Sequence, residues 1–265
     1  MHHNKKKGGI IITRTPFRIS FLGGGTDFPD YFNRKKSIVL GTAINKYTYV
    51  TINSLERLME KRFRISYSKL EMVDEIKDIK DNYFREILLS NINLYANDFF
   101  DIHTFSDLPA GSGIGSSSSF IVGMLNGIHS LNGVYQDPKK LALEAIQIER
   151  HRLQEMGGWQ DQIFAAFGGF NLIDFHQNNF EVSKIPISQE KMEALESSMM
   201  LFFTNIKRSS ADIQKKVFDQ KNLSSKENYL DLIYNLALEG KNILCNTHDV
   251  NKMVEDFGRV MNESW

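Results

Sequence analysis

Leu108-Pro-Ala-Gly-Ser-Gly-Ile-Gly-Ser-Ser-Ser-Ser-Phe120 sets three glycines at alternate positions directly before four serines. Glycine lets a backbone turn sharply and approach a ligand closely. Phe120, Ile121, Met124, Leu125, Ile128 and Leu131 then recur at helical spacing. A helix that starts at the serines carries unpaired N–H groups and partial positive charge at its first turn, which suits an anion. The stretch therefore predicts a phosphate cradle. No lysine or arginine occurs from Ser112 to Tyr135, so it is not a P-loop, which closes on Gly-Lys-Ser/Thr. Gly111, Gly113 and Gly115 also miss the dinucleotide fingerprint, and no acidic residue follows on a strand about 20 residues later. A flexible Gly/Ser linker is the plain alternative. Against it, the stretch is held between the apolar run Phe99 to Phe105 and the helical pattern after it.

Working outward, residues 10 to 21 alternate branched and polar side chains and break at Gly23-Gly24-Gly25, as a strand entering a tight loop would. Ser37 to Ala43, Lys46 to Ile52 and Arg62 to Tyr67 are further strand candidates, and Asn82 to Tyr95 has a helical pattern. Asp137-Pro138 marks a helix start, an N-cap residue before proline at the first helical position. That helix is expected to run through Leu141, Ala145 and Ile148 to Leu153 and to stop at Gly157-Gly158. Phe167 to Phe175, Glu181 to Ile187 and Met199 to Thr204 read as strands. From Ala211 the pattern is helical, most clearly in Tyr229 to Leu244 and Val250 to Met261. Strands early and helices late predict an α+β fold and not a doubly wound sheet.

The 265 residues suffice for one large or two modest domains, and 42% hydrophobic content with 24% charge is globular. Lys+Arg and Asp+Glu are each 32, so overall charge gives no reason to expect nucleic acid or membrane as a partner. Ile10-Ile11-Ile12 is too short for a signal-peptide core, and Lys5 to Lys7 reads as a solvated tail. One cysteine, Cys245, excludes an internal disulfide and fits a reducing cytoplasm.

Pro109-x-x-x-Gly113-x-Gly115-Ser116-Ser117 resembles the second motif of the GHMP kinases, small-molecule kinases that include galactokinase, homoserine kinase and mevalonate kinase. Thr15-Pro-Phe-Arg-Ile-Ser-Phe-Leu-Gly-Gly-Gly-Thr-Asp-Phe28 is similar to their first motif. Gly157-Gly-Trp-Gln-Asp-Gln162 is similar to the segment that carries the catalytic aspartate in the sugar kinases. Gly23-Gly-Gly-Thr-Asp-Phe28 and Gly157-Gly-Trp-Gln-Asp-Gln162 together most resemble the heptose 7-phosphate kinases, with the fucokinases next. The resemblance implies a two-domain fold, an N-terminal domain over 1–185 with the ATP loop and a C-terminal α+β domain over 186–265. It also implies ATP-dependent phosphorylation of D-glycero-D-manno-heptose 7-phosphate at its 1-position, for nucleotide-activated heptose and surface polysaccharide. L-fucose is the alternative acceptor, and a non-catalytic module binding nucleotide or phosphosugar is the alternative from another class.

The roles implied by the resemblance fall on particular residues. Backbone N–H groups of Pro109 to Ser117 (Ala110, Gly111, Ser112, Gly113, Ile114, Gly115 and Ser116 between them, proline excepted) would hold the ATP phosphates, with Mg²⁺ in place of the missing lysine. The metal would take one hydroxyl, Ser117 preferred to Ser116, and the carboxylate of Glu149; an oxygen donor set of this size suits Mg²⁺. A surface ion pair with Arg150 or Arg152 is the plain alternative for Glu149. Asp161 follows Glu149 by twelve positions, one more than in mevalonate kinases, so the turn must absorb an insertion. Asp161 would receive or orient the acceptor hydroxyl, with Arg18 holding it ionised; a helix N-cap is its plain alternative. Asp27 would contact sugar hydroxyls. Gly24-Gly25, where galactokinases have Glu-His, would with Gly23 open room for a larger or phosphorylated sugar. Trp159 would stack on the sugar ring or belong to the core, and Arg208 would meet a sugar phosphate. The family's third motif, a second glycine-rich loop, has no counterpart after residue 180, where only Gly240 and Gly258 remain, so the sequence is expected to be part of a longer one. Oligomeric state is left open.

Overall fold

The computed structural model describes residues 9–55, 60–90, 99–202 and 223–265. Strand β1 (Gly9–Leu22) runs antiparallel to β2 (Ser37–Leu55). Along β1, Thr13, Thr15 and Phe17 are buried while Ile12 and Arg14 are exposed, the two-residue period of a half-covered strand. The two β-rich runs expected at Ser37–Ala43 and Lys46–Ile52 are one strand of 19 residues. Its other edge is shared: Ser37–Thr42 pairs with β6 (Phe170–His176), and Thr48–Leu55 pairs with β5 (Phe99–Ser106). β5 lies parallel to β3 (Phe63–Ser66), which turns back through β4 (Leu70–Val73), while β7 (Asn179–Lys184) flanks β6. The result is a seven-stranded mixed sheet with the path β4-β3-β5-β2-β6-β7 and β1 beside β2.

The helices are α1 (Pro29–Phe32), α2 (Asn82–Ser90), α3 (Ser116–Leu131), α4 (Pro138–Ile146), α5 (Gln160–Phe167), α6 (Gln189–Ser197), α7 (Leu223–Asn246) and α8 (Val250–Ser264). α3 presses its apolar side onto Val50, Ile52, Phe100 and Ile102. Its glycines make the close approach: a Cβ on Gly123 would fall 2.7 Å from Thr15 Oγ1, and one on Gly127 2.8 Å from Ile52 Cδ1. Val39, Ile173 and Phe175 pack with Ile146, Ile163 and Phe164 of α4 and α5. Ile38, Leu40 and Leu172, on the alternate positions, pack instead with Leu236, Met253 and Phe257 of α7 and α8. That end of the sheet is thus buried on both faces.

Asp137 caps α4 as expected, its Oδ1 accepting from Lys139 N at 2.9 Å. The helix then departs from expectation: it widens into a π-helical turn over Gln147–Arg152. Asp161 is not an N-cap, because α5 starts one residue earlier, after Trp159. Met199–Phe202 has no strand pairing, and residues 203 and 204 of that expected strand lie outside the described residues, as do 91–95 of the expected second helix and 211–222 of the C-terminal helical region. β4 could not be read from sequence because its Leu70 and Met72 face solvent while Glu71 is buried, and α6 carries little apolar pattern, with only Leu195 buried.

Candidate active site

The glycine loop is built from backbone that only glycine adopts freely. Gly111, Gly113 and Gly115 have φ of 79°, 78° and 80°, the left-handed region, with Ser112 and Ile114 between them. A Cβ on Gly111 or Gly113 would meet nothing within 4 Å, so this side of the loop is open. Gly115 is the N-cap of α3 and offers no side-chain cap. The first backbone bond into the helix is Ser119 N to Gly115 O at 2.9 Å, which leaves the N–H groups of Ser116, Ser117 and Ser118 without an intrahelical acceptor. Pro109 and Ala110 are exposed at the entrance. Ser112 Oγ is buried and has no partner.

Arg18 ties this loop to α5. Its Nε and Nη2 lie 2.8 and 2.6 Å from Asp161 Oδ1, and its Nη1 donates to Gly113 O at 2.9 Å. The Arg18 backbone N–H also donates to Ile114 O at 3.2 Å. The Arg18 and Asp161 side chains are 15% and 21% exposed, shielded enough for a charge-assisted pair to be strong and open enough to meet a ligand. Gly115 faces the pair, since a Cβ there would lie 3.4 Å from Arg18 Cγ and 3.5 Å from Asp161 Oδ2.

Glu149 is 3% exposed, so the surface ion pair considered for it does not form. The π turn directs it inward, where Oε1 accepts from Ser117 Oγ at 2.7 Å and Oε2 from Ser118 Oγ at 2.7 Å. Gln162 Nε2 also donates to Oε2, while Gln162 Oε1 is buried without a partner. Sequence reasoning missed Ser118 and Gln162; their only signal was adjacency to the assigned serine and aspartate. Among the described residues no three His, Cys, Asp or Glu side chains cluster as a metal site. One carboxylate beside hydroxyl oxygens still fits Mg²⁺, which keeps several waters and takes further oxygens from phosphates. Arg150 turns away from Glu149 and grips the following bend, donating to Gly158 O at 2.9 Å and to Met156 O at 3.1 Å.

Asp27 is 1% exposed. Its Oδ1 accepts from Gly25 N and its Oδ2 from Gln160 N, both at 3.1 Å, so it holds the first motif onto the start of α5. Burial pushes its carboxyl above the usual carboxylate value and the Asp161 charge adds to that, while the Gln160 N–H opposes both. Gly158 leaves room for it: a Cβ there would fall 1.8 Å from Asp27 Oδ2. Gly23 has φ 89° and a Cβ on it would strike Ile38 O, whereas Gly24 and Gly25 face Gln160 Nε2 and Leu230 Cδ2 at 3.8 and 3.4 Å. Of the two roles considered for Trp159, the fold takes the core one: the ring is 7% exposed and packs edge-on against Phe32 at 5.0 Å. Arg208 lies outside the described residues.

Residues 82–169 match the model of the GHMP kinase N-terminal domain. The chain is 33% identical to D-glycero-α-D-manno-heptose 7-phosphate kinase of Campylobacter jejuni over 81% of its own length and 67% of that protein. It is 24% identical to the L-fucokinase/L-fucose-1-P guanylyltransferase of Bacteroides fragilis, of which it spans 30%. Among solved structures, a D-glycero-D-manno-heptose 1-phosphate kinase from Bacteroides thetaiotaomicron superposes with a TM-score of 0.79 at 27% identity, covering 97% of this chain and 78% of that one.

Proposed function

The chain belongs to the GHMP kinase family and, like the sugar kinases it matches, is a phosphotransferase with an alcohol acceptor; on that premise we propose that it phosphorylates the 1-hydroxyl of D-glycero-D-manno-heptose 7-phosphate from ATP. One observation carries the proposal: a single guanidinium, Arg18, joins Gly113 of the open glycine loop to Asp161. It puts a positioned carboxylate beside an anion cradle, which is the pairing that phosphoryl transfer requires. Similarity to the Campylobacter enzyme supports the choice of sugar. On this reading the cradle N–H groups from Gly111 to Ser117 bind the triphosphate. Asp161 orients the sugar hydroxyl and takes its proton as oxygen attacks the γ-phosphorus and the bond to the β-phosphate oxygen breaks. Arg18 fixes the position of the Asp161 carboxylate through its two N–H bonds. Ser117 and Glu149 would hold Mg²⁺, which when bound neutralises charge on the phosphates. Asp27 acts through the Gly25 and Gln160 amides to set the sugar loop against Asp161.

The division into an N-terminal domain to residue 185 and a C-terminal domain from 186 belongs to the same proposal, as does work in the cytoplasm, where ATP is available. No helix among the described residues is long and apolar enough to cross a membrane. The test is ADP release by the purified chain with ATP and Mg²⁺, comparing heptose 7-phosphate, L-fucose and no sugar. Release that depends on heptose 7-phosphate is the expected result. Release that is the same with and without sugar refutes the kinase assignment, a preference for fucose replaces the acceptor, and nucleotide binding without turnover leaves a binding module.

A further inference from the structure

Two side chains on one face of β1 meet two successive residues of α5. Arg18 holds Asp161, and Ser20 Oγ donates to Gln160 Oε1. The Gln160 backbone N–H is fixed as well, by Asp27 Oδ2 at 3.1 Å. With its carbonyl oxygen taken by Ser20, the carboxamide of Gln160 is oriented so that its NH₂ points away from β1. Nε2 stands 3.8 Å from the point a Cβ on Gly24 would occupy. Gly24 has no side chain and no positive φ, so it contributes space rather than a special turn. A donor that is anchored at its oxygen end, next in sequence to the carboxylate assigned to the acceptor hydroxyl, thus faces the glycine loop of the first motif.

We propose that Gln160 is a specificity-determining residue whose Nε2 donates to an oxygen of the polyhydroxylated acceptor, beside the hydroxyl received by Asp161, with Ser20 as its positioning residue. The inference rests on the kinase reading and deepens it. An amide NH₂ offers hydrogens and no lone pair, so it selects a hydroxyl or ring oxygen there and rejects an acceptor whose corresponding position is an ammonium or a methyl group. Because the contact is made to sugar before and during transfer alike, its loss weakens binding without slowing the bound complex.

The experiment compares wild type, Gln160→Met and Ser20→Ala in two measurements, ADP release with heptose 7-phosphate and calorimetric binding of that sugar to the intact chain. Methionine keeps the length of the side chain and removes the donor. For Gln160→Met the expected result is a rise of about tenfold in both KM and Kd, with kcat within about twofold of wild type and an unchanged melting temperature. Ser20→Ala is expected to raise KM about threefold, because the amide remains but is free to rotate. Unchanged KM and Kd in Gln160→Met overturn the inference, and so does a fall in kcat at unchanged KM, which would assign Gln160 to Asp161 and not to the sugar. A wild-type chain that binds the sugar without turning it over refutes the kinase reading while the Kd comparison still decides the role of Gln160. A wild-type chain that neither binds nor phosphorylates it overturns both.

Discussion

Replacing Gly158 with alanine tests the joint between the first motif and α5. The added Cβ would fall 1.8 Å from Asp27 Oδ2, 2.2 Å from Cγ and 2.7 Å from Oδ1, all well inside van der Waals contact. Gly158 is not among the positive-φ glycines, so alanine strains no backbone and the whole penalty is the collision. To relieve it, the Asp27 carboxylate must leave the N–H groups of Gly25 and Gln160. A buried N–H without an acceptor costs about 1–3 kcal/mol, so the two freed by Gly158→Ala should cost about 2–6 kcal/mol. Asp27→Ala removes the same acceptor and should cost a similar amount, and it also removes the three atoms that the new Cβ meets. The double variant is then expected to be no less stable than the worse single one. Urea denaturation followed by circular dichroism measures all four corners of the cycle, and the coupling should equal nearly a full single-variant loss. Losses that add to within about 0.5 kcal/mol would refute the claim that Gly158 exists to admit Asp27.

The pH dependence of Asp27 has a definite sign. Its folded-state carboxyl lies above the ordinary value of 3.8, so its contribution to stability is full below that value and declines as pH rises through the folded pKa. The urea-measured penalty of Asp27→Ala should therefore be larger at pH 4 than at pH 7, and an opposite trend would contradict burial as the dominant cause. Arg18→Lys places one ammonium where a fork spans Asp161 and Gly113 O, and kcat should fall about 10²-fold; Asp161→Asn should lower it ~10²–10⁴-fold, each with melting close to wild type. Glu149→Gln should raise the Mg²⁺ concentration for half-maximal activity more than about tenfold, and Mn²⁺ binding measured by electron paramagnetic resonance should weaken in parallel. Gly115→Ala meets only ordinary contacts at 3.4–3.6 Å but holds φ at 80°, so its thermal melt should report a backbone penalty of about 1–2 kcal/mol.

The α+β class, the strand into the glycine loop and the helix after it were legible because each rests on local pattern. Phe99 to Phe105 and Phe120 to Leu131 carry their periodicity in adjacent residues. Asp137-Pro138 is legible for the same reason, since a cap is satisfied by amides two and three places on. The continuity of β2 was not, because Ile44 and Asn45 separate the two β-rich runs, and only the pairing shows β1 crossing that break with a register shift, from Pro16 opposite Tyr47 to Arg18 opposite Ala43. Glu149 shows the limit most clearly. Flanking arginines make it look solvated, and only the fold sends Arg150 to the carbonyls of the next bend while Ser117 and Ser118 meet the carboxylate. Trp159 and Gln160 point the same way: one is core and the other faces Gly24, a difference set by where α5 begins and invisible in the Gly-Gly-Trp-Gln-Asp-Gln string.

The π-helical turn at Gln147–Arg152 explains how the twelve-position interval between Glu149 and Asp161 is accommodated. Such a turn takes in one residue more than an α turn without lengthening the path between its ends. Tightened to an ordinary helix, it would rotate everything downstream by about 100°, and the bend at Gly157-Gly158 would no longer meet Asp27. Slack of this kind means that aim, and not the tally of residues between two groups, is what the chain must preserve; a spacing that looks like an insertion on paper is taken up as girth.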